Sequence, residues 1–317
     1  MQRVNVLKIH VPSVPQRLLD GELKTIILAG IERNPTTQLC PCVEEADYIF
    51  VDFRHLSDLA YKTPYPDKTV IIDYRDNPYA VFDQDALLYF KRSVVDKRRN
   101  CFAAYPREVI PIGYCIKDDY LNRESEFSAT RDIDIAVFFD QHEDPTTARN
   151  KYRSGVTQYI KTQFAHHNIF TGIAGSCGDP GRSRFQGEYF DIMARAKIVV
   201  TCNPDRWEGD YRLYEALSSG SLVLSDKMLT PLENPFVDWQ HLIYYDKQNL
   251  DGMGDIIEAL LANDGARECI ANAGYEHAVK WHTATQRMGE IVKVLHAIEA
   301  LGERNAGLAT STVVGSQ

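Results

Sequence analysis

Long hydrophobic segments are missing from this sequence of 317 residues, and no apolar run approaches the roughly 18 residues of a membrane span. The first residues, Met1–Lys8, also lack the apolar core of a secretory signal peptide. These absences argue against a protein built around membrane-spanning helices. They lead us to expect a soluble, cytoplasmic protein.

Basic residues are also fewer than acidic ones. The sequence has 35 lysine and arginine residues and 44 aspartate and glutamate residues, which give a net charge of −9. A chain with this balance has little nonspecific attraction for nucleic acid or anionic lipid. We therefore predict no nucleic-acid partner. A site for a phosphate group has to be a local cluster of cationic side chains.

The seven cysteines form an odd-numbered set without a repeated spacing. Cys40 and Cys42 are closer together than the cysteines of common zinc or thioredoxin motifs, so reduced thiols are the better interpretation. The pair Asp132 and Asp134 precedes its predicted strand, whereas carboxylates that hold a divalent ion against a diphosphate follow one. We therefore predict no metal site and no cofactor.

What the sequence does contain is strand followed by helix, repeated in two successive blocks. Short apolar, β-branched runs predict parallel strands that are covered on both faces. In the first block, strands are predicted at Val4–Ile9, Asp47–Phe53, Val70–Asp73 and Glu108–Ile112, and a helical or mixed segment at Phe82–Val95. In the second block, strands are predicted at Ile133–Phe139, Asn168–Thr171, Ile198–Val200, Leu222–Leu224 and Leu242–Tyr245.

Helical spacing of apolar residues predicts long helices in the second block. The predicted helices cover Thr146–Phe164, Tyr189–Ala194, Asp255–Leu261, Ala266–Val279 and Thr285–Leu301. The polar stretch Lys117–Thr130 is the candidate linker. The fold class is therefore α/β, with two Rossmann-like doubly wound domains facing a cleft, at residues 1–125 and 131–302, followed by a mobile tail at 303–317.

The segment Ala196–Asp226 carries the strongest functional signal, because a buried strand, a charged loop and a helix start follow one another there. Asp210 suits the N-cap of that helix, and Arg212 and Glu215 lie on one helical face. The helix N-terminus and the Arg212 guanidinium favour a phosphate, whereas Glu215 suits the hydroxyls of a ribose. The alternative is an ordinary strand–helix unit with an exposed Arg–Glu pair.

The same donor site is predicted to include residues from the neighbouring loops, namely Arg153, Asn203, Arg206 and Tyr211. Arg153 follows the first strand of the second block, where a loop and a helix N-terminus would face the cleft. A solvated charge on a helix surface is the alternative explanation for Arg153.

Asp73 lies at the carboxyl end of a predicted buried strand, which is where clefts form in parallel sheets. A carboxylate there suits a general base that takes a proton from an attacking hydroxyl. Arg75 and Asp76 are then candidates for the acceptor site, and so is His10, which is also the rival base. The alternative is that Asp73 caps its turn while Arg75 and Asp76 pair at the surface.

The segment Arg212–Asp226 begins with an arginine, followed by a hydrophobic residue, an aromatic residue and Glu-Ala-Leu. It resembles a stretch with the same pattern in GT-B glycosyltransferases of the group 1 and exostosin-like type. The later Ala271–Tyr275 and Trp281–Thr283, with Arg287, resemble the closing pattern of the same families. The resemblance implies the GT-B fold, with a nucleotide sugar in the second domain and the acceptor and base in the first. It also implies that the last helix packs back onto the first domain.

The segments Val70–Pro78, Tyr89–Ser93 and Val109–Tyr114 are similar to exostosin-like xylosyltransferases of large algal viruses. That similarity implies an inverting, metal-independent enzyme of N-glycan synthesis that uses UDP-xylose and a glycan acceptor, with Asp73 at the position of the base. It would place a viral protein in the host cytoplasm.

Three alternatives stay open. A metal-dependent GT-A transferase is one, because Asp73 and Asp76 follow a strand as metal-binding carboxylates do. A two-domain module that binds a nucleotide or a glycan without turnover is another. A phosphorylase of similar architecture, with phosphate as acceptor, is the third.

Overall fold

The computed structural model describes residues 6–16, 19, 21–76, 80, 85–94, 109–127, 130–139, 151–172, 187–204 and 208–313. Within these ranges the chain forms two parallel sheets, each in a block of alternating strands and helices. None of the helices described is both long and apolar enough to cross a membrane.

The first sheet has six parallel strands in the order β2-β1-β3-β4-β5-β6. Its strands are β1 Leu7–His10, β2 Thr37–Leu39, β3 Tyr48–Asp52, β4 Thr69–Asp73, β5 Leu88–Lys91 and β6 Ile110–Pro111. Every residue of β3 and β4 is buried, as the apolar runs predict for central strands with both faces covered. In the β4–β5 register, Asp73 lies beside Lys91.

The second sheet has five parallel strands in the order β11-β10-β9-β7-β8. Its strands are β7 Ile133–Val137, β8 Ile169–Thr171, β9 Ala196–Val200, β10 Leu222–Asp226 and β11 Ile243–Tyr245. The chain order reverses at β7, which has β9 on one side and β8 on the other. Such a reversal opens a crevice at the carboxyl ends of the strands.

The helices pack on both sheets. They are α1 Ala29–Arg33, which continues a π-helical segment Leu23–Leu28, α2 Phe53–Ser57, α3 Lys151–Gln163, α4 Gly187–Arg195, α5 Tyr211–Ser218, α6 Leu250–Leu261, α7 Asp264–Trp281 and α8 Ala284–Val313. The predicted α/β class with two Rossmann-like units is confirmed.

Helix α8 returns to the first unit, as predicted. Asn34 donates from Nδ2 to the Thr285 carbonyl at 3.3 Å, and the Tyr48 hydroxyl donates to Glu299 at 2.6 Å. At Gly30, an added Cβ would lie only 2.9 Å from the Ala284 carbonyl oxygen, so the close approach of α1 and α8 requires a residue without a side chain. The first unit is thus completed by the last helix.

The closing pattern around Trp281–Thr283 forms part of this junction. The Ile116 amide donates to the His282 carbonyl at 2.7 Å, and Arg287 donates from Nε to the Tyr114 carbonyl at 3.0 Å. Burial and the neighbouring Arg287 charge lower the pKa of His282 to about 2, so its ring is neutral at physiological pH. These hydrogen bonds connect the two units.

Two predicted segments differ from the structure. In the span Phe82–Val95, predicted to be helical or mixed, the described residues contain strand β5, because Leu88–Lys91 pairs with β4. Helix α8 runs to Val313, where the sequence led us to expect a tail from residue 303. The short strand β2 and the helix α2 had no counterpart among the predicted elements.

Candidate functional site

The N-terminus of α5 lies at the carboxyl edge of the second sheet. Asp210 has an extended backbone and caps the helix, since its carboxylate accepts the Arg212 amide at 3.2 Å. Gly220, with φ of +69°, follows the last turn, where a glycine accommodates the left-handed backbone that ends a helix. Asp210 and Gly220 therefore set the two ends of α5, and the positive N-terminus of the helix lies at Asp210.

Two buried arginines meet at this helix end. Arg153 donates from Nη2 to the Asp210 carboxylate at 2.7 Å and from Nε to the Cys202 carbonyl at 2.7 Å. Arg212 donates to the same carboxylate and, from Nε, to the Phe138 carbonyl at 3.0 Å. Arg153 is 4% exposed and Arg212 is 8% exposed. The structure thus brings together two of the predicted donor-site residues, which are far apart in the sequence.

The carbonyl partners of these arginines belong to the residues that follow β7 and β9. Each guanidinium is therefore held by the carboxyl edge of the sheet and by the helix cap at once. Two permanent cations share one carboxylate beside the positive end of a helix dipole. This arrangement can attract an anion such as a diphosphate.

Asn203 organises the loop that precedes α5. Its amide and its Nδ2 donate to the Asp226 carboxylate at 2.7 Å and 3.1 Å, and its Oδ1 accepts the Gly209 amide at 3.0 Å. Gly209 has φ of +77°, a conformation that favours glycine. Asn203 therefore positions this loop, and the predicted Arg206 lies outside the described residues.

Glu215 is one turn along α5 and is almost fully buried. Its carboxylate accepts the Tyr189 hydroxyl at 2.9 Å. This contact joins α5 to α4, on which Tyr189 lies. The role of Glu215 toward ribose hydroxyls stays a prediction.

Tyr211 takes part in a stack of three tyrosines that crosses from one unit to the other. Its ring lies 4.0 Å from that of Tyr114, which in turn lies 5.5 Å from that of Tyr74. The Lys117 ammonium lies 4.0 Å from the Tyr211 ring centre, within cation–π distance. The first residue of α5 is thus anchored against the first unit.

Arg92 also crosses between the units, and the sequence did not single it out. It donates from Nε to the Tyr74 carbonyl at 2.9 Å and from Nη1 to the Glu208 carbonyl at 2.8 Å. Its Nη2 donates to Asp76 at 2.5 Å, which places the predicted acceptor residue Asp76 at the same junction. In the sequence, the segment Tyr89–Ser93 contributed only to the resemblance. The residues that Arg92 contacts lie in distant segments, so the sequence did not identify them.

Asp73, the predicted base, is completely buried at the end of β4. Its carboxylate accepts Arg75 Nη2 at 2.7 Å and the Tyr89 hydroxyl at 2.7 Å, and Lys91 Nζ lies 3.7 Å away. Burial raises the pKa of this carboxyl, but the hydrogen bonds from Arg75 and the Lys91 charge outweigh it, so the pKa lies below its usual value.

A lowered pKa makes a carboxylate a weaker proton acceptor. The geometry therefore supports Asp73 as a hub of hydrogen bonds, and its role as the base stays a prediction. Arg75, predicted to shape the acceptor site, is the main partner of this hub.

His10, the rival base, ends strand β1. Its Nδ1 lies 2.9 Å from the Cys40 carbonyl, and since a carbonyl only accepts, Nδ1 carries the proton. Nε2 is then the nitrogen with the basic lone pair. In the half-buried ring of His10, Nε2 is therefore the atom available to accept a proton from a substrate.

A cavity of about 700 Å³ opens in the first unit beside α1 and β2. Its charged and polar lining residues are Lys24, Thr25, Glu32, Arg33, Thr37, Gln38, Lys117, Asp118 and Asp119. Lys117 connects it to the stacked Tyr211 ring. The predicted acceptor residues His10, Arg75 and Asp76 do not line this cavity.

Residues 168–293 match a protein family described as glycosyl transferase-like. The matched stretch includes all of α5 and its arginine at position 212. No curated protein matches the chain. The predicted enzyme class, a glycosyltransferase, is confirmed.

Three solved structures have a similar fold. An α-glucosyltransferase in complex with UDP and a 13-mer DNA has 10% identity and a TM-score of 0.56, covering 92% of this chain and 100% of that one. Sucrose-phosphate synthase from Thermosynechococcus elongatus has 13% identity and a TM-score of 0.54, covering 93% and 100%. AviGT4, a glycosyltransferase involved in avilamycin A biosynthesis, has 10% identity and a TM-score of 0.51, covering 90% and 96%. These likenesses confirm the GT-B fold.

Proposed function

We propose that this GT-B glycosyltransferase takes a sugar from a nucleotide diphosphate and holds the donor diphosphate at the N-terminus of α5. The carrying observation is that Arg153 and Arg212 meet at Asp210, both buried and both tied to the carboxyl edge of the second sheet. Fixed cations at this position stabilise the charge that develops on the diphosphate as the sugar leaves.

The same pair supports the prediction of metal-independent transfer. A divalent ion in a transferase neutralises the leaving diphosphate, and two arginines beside a helix N-terminus supply positive charge for the same purpose. An arginine keeps its charge at any physiological pH. Chelators such as EDTA should therefore leave turnover unchanged.

The finer assignment is that xylose is moved from UDP-xylose with inversion onto a glycan hydroxyl. It rests on the similarity of the Val70–Pro78 region to exostosin-like xylosyltransferases. The proposed viral origin rests on the same similarity. Inversion requires one base, for which Asp73 and His10 are the candidates.

For the part of the acceptor away from the reacting hydroxyl we favour the cavity beside α1, because neither base candidate lines it. Its mixture of amide, hydroxyl, carboxylate and ammonium groups suits the many hydroxyls of a carbohydrate. The net charge of −9 argues against a nucleic-acid acceptor. Gln38→Ala and Lys24→Ala should raise the KM for the acceptor without changing the affinity for UDP.

The test uses the full chain with a panel of UDP and GDP sugars. UDP-xylose should raise the melting temperature by mass action and release UDP when a xylan-type or N-glycan acceptor is added. NMR of the product anomeric proton then reports inversion or retention. A DNA duplex serves as the second acceptor.

The outcomes of this panel distinguish the donor sugar, the acceptor and the donor site from one another. Transfer from another sugar nucleotide replaces xylose but keeps the donor site, and transfer to DNA overturns the glycan acceptor. Binding without transfer supports the alternative of a non-catalytic module. If no sugar nucleotide changes the melting temperature, the donor site proposed at α5 is wrong.

A further inference from the structure

Two adjacent histidines and a glutamate meet on the outer side of the second unit. His166 and His167 follow the last turn of α3, and Glu258 lies on α6. One ligand atom from each of the three residues lies within 4.8 Å of the other two. The sequence did not single out these residues.

The distances suit a metal ion better than a set of hydrogen bonds. His166 Nε2 lies 3.9 Å from one Glu258 oxygen, and His167 Nε2 lies 3.7 Å from the other. Both separations are too long for hydrogen bonds. Ligand atoms of a tetrahedral zinc site with bonds of 2.0–2.1 Å lie about 3.4 Å apart, so small side-chain movements would complete the geometry.

His167 is already oriented as a ligand. Its Nδ1 lies 3.3 Å from the Asp134 carboxylate, which can only accept, so Nδ1 carries a proton and Nε2 is the nitrogen that faces Glu258. Among the described residues, Nε2 of His167 is buried without a hydrogen-bond partner. A carboxylate behind a histidine in this way fixes the ring and raises its basicity in metal sites.

The carboxylate behind the ring is itself held in place. Asp134 accepts the Lys197 ammonium at 2.6 Å and the Asn168 amide at 3.0 Å. The His167 amide donates to the Phe164 carbonyl at 2.9 Å, which fixes the turn after α3. The site therefore has one rigid ligand, and two more exposed ligands that can adjust.

We propose that His166, His167 and Glu258 bind a divalent transition-metal ion, with Zn²⁺ as the best match to two imidazoles and one carboxylate. The ion would join the turn after α3 to helix α6. Asp134 lies near the start of β7, whereas Arg212 of the arginine pair contacts the residue after its end. The ion thus stabilises the second unit and takes no part in transfer.

The experiment measures Zn²⁺ binding to the full chain by competition with a chromophoric chelator, together with the melting temperature in Zn²⁺ and in EDTA. His167→Gln and Glu258→Gln are the test variants, and His296→Gln, an exposed histidine on α8, is the matched control. Because cysteines also bind zinc, the quantity of interest is the difference between variant and unaltered protein.

We expect the unaltered protein and the His296 variant to bind one more Zn²⁺ than either test variant, or to bind it at least tenfold more tightly. Zn²⁺ should raise their melting temperature more than that of the test variants, and turnover should be the same with and without EDTA. Equal zinc binding and equal thermal shifts in all four proteins would overturn the site. A loss of turnover in EDTA that the test variants already show without EDTA would overturn its purely structural role, and any loss in EDTA would also contradict the metal-independent transfer proposed above. The zinc-binding result does not bear on the arginine pair.

Discussion

Two clusters in this molecule are built from the same parts, one aspartate between two cationic side chains, and behave differently. Asp73 lies with Arg75 and Lys91 at the end of β4, and Asp210 lies with Arg153 and Arg212 at the start of α5. Both are tied to the carboxyl edge of a parallel sheet.

The difference lies in which cation is used and what surrounds it. In the first cluster, burial lowers the pKa of Lys91 from 10.5 to about 7, so this ammonium is able to lose its charge. In the second cluster both cations are arginines, which cannot, and a helix N-terminus adds to their field. The first cluster balances charge internally, and the second is suited to an external anion.

The largest effect that tests this contrast is on stability. Asp73→Ala removes the carboxylate between Arg75 and Lys91, and breaking such a buried pair costs about 3–5 kcal/mol. We expect the free energy of unfolding in urea to fall by about that amount. Asp132→Ala, which removes an exposed partner of Arg195, should leave the unfolding midpoint unchanged. Equal midpoints for the two variants would contradict the role of Asp73 as a hub.

The second effect concerns turnover. If Asp73 is also the base, Asp73→Asn should lower kcat by a factor of about 100 or more, because the amide cannot take a proton. The affinity for UDP should stay the same. His10→Gln is the matched variant for the rival base, with its effect read as kcat at a fixed temperature. A normal kcat in the Asp73 variant, with a large loss in the His10 variant, would move the base to His10.

The parts of these clusters that the sequence predicted are those encoded locally. Asp210 before a helix and Arg212 two residues later carry their own capping and charge signals. The buried strands β3 and β4 were visible from short apolar runs. The enzyme class followed from the same stretch of residues that matches the glycosyl transferase-like family.

The parts that the sequence missed depend on contacts between distant segments. Lys91 reaches Asp73 only because β5 pairs beside β4, and β5 lies in a segment that was predicted to be helical or mixed. Arg92 contacts the Glu208 carbonyl 116 residues later. An aspartate at a strand end has the same sequence pattern whether it faces a cleft or is enclosed by cations, so the environment of Asp73 was not predictable from its position.

The third effect is on donor binding and separates the two clusters directly. Arg212→Ala should weaken UDP binding by about 1.5–3 kcal/mol, the scale of hydrogen bonds to charged groups. That corresponds to a loss of roughly 10- to 150-fold by titration calorimetry. Arg75→Ala, the matched arginine of the first cluster, should bind UDP normally. A similar loss in both variants would show that the clusters are not distinguished as we describe.

The smallest effect is a pH dependence that only the first cluster should show. Because the pKa of Lys91 is lower in the folded chain than in the unfolded chain, the unfolded chain binds more protons between pH 7 and the ordinary lysine range. Stability should therefore rise with pH above about 7, by up to about 1.4 kcal/mol per pH unit from this group. Comparing urea unfolding of the unaltered protein and Lys91→Met from pH 7 to 8.5 isolates that contribution. Parallel curves would mean that Lys91 keeps its charge, and the two clusters would then be equally cationic.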